Sequence, residues 1–145
     1  MSKWEPKTYV LKNGQTLLLR EAVPDDAPRV LAYLNRVGGE SDNLLFGKDG
    51  FPMPVERERV AHRAGLSVTV GKGFWGLGIG RKAMEALIAF AKGAGLEVLQ
   101  LEVRSDNERA VTLYEHLGFE KMGLYKKFMK VDGRDFDAWY MNLYL

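Results

Sequence analysis

"WGLGIGRKAM", residues Trp75 to Met84, sets glycine at positions 76, 78 and 80 directly ahead of an amphipathic run. Bare residues in that pattern serve either a tight turn of the backbone or the close approach of something to it. The start of a helix carries unpaired N–H groups and a partial positive charge, so an anion fits there if no side chain blocks its way. With Gly76, Gly78 and Gly80 bare, the amides around Leu77, Ile79 and Arg81 are open to a phosphate or diphosphate, and Arg81 and Lys82 add positive charge. A strand-to-helix turn with no ligand is the other reading of the same glycines.

Upstream, "AGLSVTV" (Ala64 to Val70) is short and β-branched and predicts a strand. Downstream, "GRKAMEALIAFAKGAG" predicts a helix with Ala83, Met84, Leu87, Ile88 and Ala91 on one face, stopped by Gly93 and Gly95. "LEVLQLEV" is nearly continuous in apolar character, as a buried central strand would be. "SDNERAVTLYEHLGF" predicts a capped helix from Asn107 to Leu117, ended by Gly118. The tail reads as a long hairpin turning at Asp132-Gly133. Towards the N-terminus, "GQTLLLREA" predicts a first strand. "PDDAPRVLAYLNRV" predicts a helix capped by Asp25 or Asp26, with Val30, Leu31 and Leu34 on its apolar face. Pro54 suits the first turn of a further helix, and residues 35 to 54 are dense in loop formers. The order of elements predicts an α/β fold with a mixed sheet, in one domain over residues 1–145.

Composition narrows the chemistry. A chain of 145 residues that is 46% hydrophobic can bury one core and leaves little for a second. A net charge of +2 is compatible with an anionic ligand and far from the basic stripe of a nucleic-acid binder. No apolar run approaches the roughly 20 residues that span a membrane, and "MSKWEPK" lacks a signal peptide's apolar core, which predicts a cytoplasmic protein. There is no cysteine, and the two histidines, His62 and His116, are too few for a metal cluster. Carboxylates, hydroxyls and backbone must do the chemistry.

Two phosphate-binding motifs can be tested by spacing. A nucleotide P-loop needs Lys followed by Ser or Thr after its last glycine, and Arg81-Lys82 does not supply it. "GIGRKA" (Gly78 to Ala83) does fit the dinucleotide G-x-G-x-x-A pattern, with Glu102 not far beyond the expected acidic position. A hairpin then follows where a further βαβ unit is required.

The span from Leu66 to Gly123 resembles the GNAT-type N-acetyltransferases, which move acetyl from acetyl-coenzyme A to an amine, and the likeness extends more loosely through the C-terminal hairpin. That family carries Arg or Gln, two residues, Gly, one residue, then Gly or Ala at its diphosphate turn. Here Trp75 stands first, followed by Gly78 and Gly80. The second element is more specific: Asn107, Ala110, Leu113, Tyr114 and Gly118-Phe119 fall at the family's spacings. Taken without the resemblance, Tyr114 is an ordinary half-buried aromatic, Asn107 a helix cap and Glu102 a solvated strand carboxylate.

The resemblance implies a GNAT-like, mostly antiparallel sheet flanked by helices, with acetyl-coenzyme A as cosubstrate and no metal. Cofactor contacts would come from Val68, Thr69, Val70, Gly76, Leu77, Gly78, Ile79, Gly80, Arg81, Asn107 and Tyr114. An amide near Val68 would donate to the oxyanion, and Tyr114 to the departing thiolate. A tyrosine of ordinary pKa near 10 facing a thiol near 8.5 makes full proton transfer uphill by roughly 2 kcal/mol, yet donation in the transition state remains useful. Glu102 is the implied base. An unperturbed glutamate is mismatched to an alkyl ammonium by roughly 6 units, so it would need burial or waters that carry the proton outward.

The partners implied are acetyl-coenzyme A and an amine, with neither nucleic acid nor membrane, and a homodimer is left open. The amine itself is shaped by regions that here offer Phe46, Phe51, Tyr125, Phe128 and Trp139. A non-catalytic acyl-coenzyme A sensor or scaffold is the alternative on the same fold. One departure stands out. Between Val55 and the strand at Ala64, family members complete a helix and add two strands, for which this interval is too short. Either this is a shortened member whose first strand meets the strand at Ala64 to Val70 more directly, or the family's second and third strands are missing from the chain as written, with a join between Glu58 and His62; the second is the expectation, because losing two strands would expose apolar edge and core surface.

Overall fold

In the computed structural model, residues 4–40 and 62–145 are described. Contacts gather into two compact units, Met1–Pro54 with Val68–Phe90 and Val55–Ser67 with Ala91–Leu145.

The first unit opens with β1 (Lys7–Val10) and β2 (Thr16–Leu19), an antiparallel hairpin whose turn is closed by Leu11 N–H on Gln15 O at 2.8 Å. The predicted first strand is thus the second, and shorter than "GQTLLLREA". A 3-10 turn at Pro24–Asp26 leads into α1 (Ala27–Gly38). Neither aspartate caps α1 through its side chain. The Asp26 carboxylate reaches back to accept the Val23 N–H at 2.9 Å and takes Arg20 at 2.6 and 2.8 Å. The Arg20 guanidinium and the Val23 amide hold that carboxyl well below the usual carboxylate range. The apolar face of α1 also differs from expectation: Val30 and Leu31 are exposed, Leu34 is half-buried, and Val37 is the buried residue. Helical spacing marks which residues share a face but carries no information about what covers it.

A 3-10 turn at Lys72–Phe74 and the glycine turn precede α2 (Ile79–Gly93), which starts one residue earlier than predicted. Met84 is fully enclosed and Ala86 and Ala91 are buried, Ala83 and Ile88 are half-buried, and Leu87 is exposed. The Trp4 and Phe90 rings meet at 5.2 Å.

The second unit holds β3 (Arg63–Gly65), β4 (Val98–Arg104), α3 (Glu108–His116), β5 (Glu120–Val131) and β6 (Arg134–Tyr144). The sheet order is β3-β4-β6-β5. Among the described residues only the β3–β4 pairing is parallel, which gives the expected mixed, antiparallel-dominated sheet. Asp132 and Gly133, with φ of 48° and 77°, make the predicted turn. The expected strand to Val70 is shorter. Its ladder ends at Gly65, the Leu66 N–H on Gln100 O at 3.0 Å is its last bond, and residues 66–70 run on without a ladder. β-branched residues favour extended backbone, but a strand exists only where a partner lies opposite.

Leu99, Leu101 and Val103 of β4 are buried while Glu102 between them is exposed, so this strand alternates instead of being buried on both faces. Gly118 ends α3 at φ 92°, and a Cβ there would lie 3.3 Å from Leu143 Cδ1. The conformation calls for glycine, and a side chain would in addition press on the end of Leu143. The helix at Pro54 lies outside the described residues, as does all of the proposed join between Glu58 and His62 except His62 itself.

Candidate functional site

In the first unit, Gly76 and Gly78 take φ of 80° and 83°, which lets the chain turn from an extended stretch into α2. The first bond of the helix runs from Lys82 N–H to Gly78 O at 3.1 Å. The N–H groups of Ile79, Gly80 and Arg81 therefore precede any intrahelical acceptor and project from the helix start. A Cβ built on Gly78 meets nothing within 4 Å, so the space over this backbone is open. A cleft of about 380 Å³ beside it is bordered by Leu11, Lys12, Leu77, Gly78 and Arg81.

The two cations expected to add charge at the turn are engaged elsewhere in this unit. Arg81 Nε donates to Glu85 Oε1 at 2.9 Å, and Lys82 Nζ lies 4.6 Å from the Tyr9 ring centre. At the turn itself, among the described residues, the donors left over are backbone N–H groups.

The stretch from Val68 to Val70 belongs to the same unit, and side chains distant in sequence fix it. Tyr33 donates its hydroxyl to Thr69 O at 2.8 Å and accepts from Thr69 Oγ1 at 3.1 Å. Trp75 Nε1 donates to Val70 O at 2.7 Å. The residue at the first position of the glycine pattern thus ties the extended stretch to the turn. Two carbonyls are committed, while among the described residues the amides of Val68, Thr69 and Val70 donate to no acceptor. Donors are left over at both the extended stretch and the helix start, and such a surface suits a ligand rich in carbonyl and phosphate oxygens.

The second unit carries the other three predicted residues. Asn107 is the N-cap of α3, its Oδ1 accepting the Ala110 N–H at 3.3 Å. Asn107→Ala is expected to lower stability by about 1 kcal/mol, read as a shift in urea midpoint at unchanged slope. Tyr114 is buried on α3 with its ring 5.9 Å from Phe119, and its hydroxyl has no partner among the described residues. Burial pushes that hydroxyl above its ordinary pKa of 10.0. Glu102 is exposed on β4 and makes no ion pair or hydrogen bond among the described residues. Among those residues, too, no group of three or more His, Asp or Glu could hold a metal ion. No described helix is long and apolar enough to cross a membrane.

Tyr33 and the clamping role of Trp75 were not foreseen. The signal for Trp75 was its position immediately after a 3-10 turn that folds back on Val70. Tyr33 lies 36 residues from Thr69, with nothing local to mark the pairing.

The model of the acetyltransferase (GNAT) family matches residues 45–119. The chain is 36% identical over 104 residues to the N-alpha-acetyltransferase RimI of Mycobacterium tuberculosis, covering 68% of this chain and 60% of that protein. It is 36% identical over 79 residues to the [ribosomal protein bS18]-alanine N-acetyltransferase of Escherichia coli strain K12, covering 54% of this chain and 53% of that one. This chain therefore spans about half to three fifths of the length of these curated relatives. A crystal structure of a GNAT-family acetyltransferase from Streptococcus pneumoniae superposes with a TM-score of 0.81 at 27% identity, covering 87% of this chain and 98% of that one.

Proposed function

The chain belongs to the acetyltransferase (GNAT) family, and on that premise we propose that it is a cytoplasmic, acetyl-coenzyme A-dependent N-acetyltransferase of primary amines, with residues 1–145 working as one domain. The observation that carries this reading is the set of backbone donors in the first unit, at Val68–Val70 and at Ile79–Arg81, that have no acceptor among the described residues, beside the open space over Gly78. One relative is named an N-alpha-acetyltransferase and another a ribosomal protein bS18-alanine N-acetyltransferase, and these names favour an α-amine as the acceptor.

Acetyl-coenzyme A supplies the thioester that the amine attacks. The amides of Ile79, Gly80 and Arg81 then hold its diphosphate, with Gly76, Leu77 and Gly78 shaping the turn. The amides of Thr69 and Val70 pair with the pantetheine arm, and the Val68 amide donates to the oxygen that gains charge. Tyr114 donates to the leaving sulfur. Burial pushes its hydroxyl above the ordinary phenol value, so it stands as the neutral acid at neutral pH. Asn107 supports the coenzyme side through the start of α3. Glu102 is exposed, and among the described residues it has no partner, so the amine's proton reaches it through waters that carry it outward.

The test is turnover of acetyl-coenzyme A, followed by thiol release, against a panel of alkylamines, arylalkylamines and N-terminal peptides. Thiol release that requires an amine, with acetylated product in mass spectrometry, is expected. Tight coenzyme binding with no product from any amine would mark a sensor or scaffold instead.

A further inference from the structure

Between Thr69 and Lys72 in the first unit, successive peptides are each tied by a side chain. Tyr33 on α1 donates its hydroxyl to Thr69 O at 2.8 Å, and Trp75 Nε1 donates to Val70 O at 2.7 Å. Glu40, just past the end of α1, accepts the Lys72 N–H on Oε2 at 3.1 Å, while Gly71 O on the other edge of that peptide accepts the Phe74 N–H at 2.9 Å. Tyr33, Arg36 and Glu40 follow helical spacing and share a face, and Glu40 N–H on Val37 O at 3.0 Å continues the turn. Arg36 joins the two anchors, with Cζ 5.6 Å from the Tyr33 ring centre and Nε 3.4 Å from Glu40 Oε1.

The effect of such ties follows from the peptide plane. A carbonyl oxygen and the N–H of the next residue belong to one rigid unit and point in opposite directions. Holding Thr69 O therefore sets the direction of the Val70 N–H, which has no acceptor among the described residues. In a paired strand the ladder would do this, but Val68–Val70 has no ladder among those residues. The Tyr33 hydroxyl is itself locked, because it gives its proton to Thr69 O and accepts one from Thr69 Oγ1 at 3.1 Å.

A donor aimed in advance binds without the entropic cost of being ordered. The glycine turn needs no such side chain, since its donors are the first N–H groups of α2 and the helix directs them. The two sets of backbone donors are thus oriented by separate means.

We propose that Tyr33 is a positioning residue for one part of the coenzyme only. It aims the Val70 amide at the pantetheine arm, Glu40 anchors the other end of the same segment, and the diphosphate place at the start of α2 is independent of both. The inference rests on the N-acetyltransferase reading.

Two probes divide the coenzyme at that boundary: acetyl-coenzyme A, and 3′-phosphoadenosine diphosphate, which keeps the diphosphate and lacks the arm. In calorimetry on the full chain, Tyr33→Phe is expected to raise the Kd of acetyl-coenzyme A by about fivefold to tenfold, the worth of one backbone hydrogen bond, and to change that of the fragment by less than about twofold. KM for acetyl-coenzyme A should rise with it and kcat stay within about threefold, because the lost contact is made in ground and transition states alike. Gly78→Asn, by contrast, should weaken both probes. Glu40→Ala should act as Tyr33→Phe does, more weakly, and Glu40→Gln, whose side-chain oxygen still accepts the Lys72 N–H, should return the wild-type value. If Tyr33→Phe does not fold, the two Glu40 variants decide the matter. A general loosening of the unit would weaken both probes equally. That result, or no change for either probe, would overturn the positioning role and leave the acetyltransferase reading standing. A wild-type chain that binds neither probe would sink that reading and the positioning with it.

Discussion

Replacing Tyr114 by phenylalanine is expected to lower kcat by about 100-fold, at the lower end of what a positioned acid contributes, and to leave the Kd of acetyl-coenzyme A within about twofold. The substitution is clean for a physical reason. Tyr114 is 8% exposed with its ring against Phe119, contacts that phenylalanine keeps, and its hydroxyl has no partner among the described residues that would be orphaned. Stability should therefore hold or rise slightly, which removes unfolding as an explanation for lost rate. Burial lifts the phenol still further above a thiol in pKa, so transfer is partial and the expected loss stays near the low end.

The same burial has a sign in stability. A hydroxyl whose pKa is raised on folding contributes stability that is fully present below pH 10 and is lost as pH climbs through the folded value. Tyr114→Phe should flatten that alkaline loss. Steady-state rates for any accepted amine decide the catalytic part, and equal kcat in both proteins would make Tyr114 a packing residue only.

At Gly78 two substitutions separate filling from strain. Any side chain there enters the open space over the turn, and φ of 83° penalises most of them. A β-branched residue forced into the left-handed region is strained by about 1–2 kcal/mol, whereas asparagine visits it with less difficulty. Both Gly78→Val and Gly78→Asn should weaken acetyl-coenzyme A binding on the order of 100-fold, because the lost contacts are those of the helix start. Only the valine variant should melt markedly lower. That affinity change corresponds to about 2.8 kcal/mol and is readily measured by calorimetry. A folded Gly78→Asn protein with wild-type affinity would show that the glycines serve the turn alone.

What could be read in advance follows from how local the cause is. α2, α3 and the β5–β6 turn were legible because their signals lie within a few residues: the glycines at 93, 95 and 118, the Asn107 cap and Asp132-Gly133. β1 was not, since "KTYV" offers two polar residues and no punctuation, and it is a strand only because β2 lies opposite. The strand forecast to Val70 ran too far for the complementary reason, a β-forming composition with no ladder beyond Gly65 among the described residues. In the candidate site, the glycine turn could be argued from backbone physics, but Tyr114 and Glu102 drew their roles from resemblance. The hydrogen-bonded cluster of Arg63, Gln100 and Tyr140 in the second unit escaped notice because its members lie 37, 40 and 77 residues apart, and no pattern along the chain encodes such a meeting.

The strand order β3-β4-β6-β5 bears on how the protein is made and damaged. β6 is the last of these strands in sequence, yet it lies between β4 and β5 and supplies a ladder to each. During synthesis β4 and β5 emerge with the seat between them empty, their facing edges lacking main-chain partners until β6 is added. A stop codon or a protease cut ahead of Arg134 would therefore not trim a rim from the sheet. It would remove the strand that joins the halves, leaving two bare edges suited to pairing with other chains.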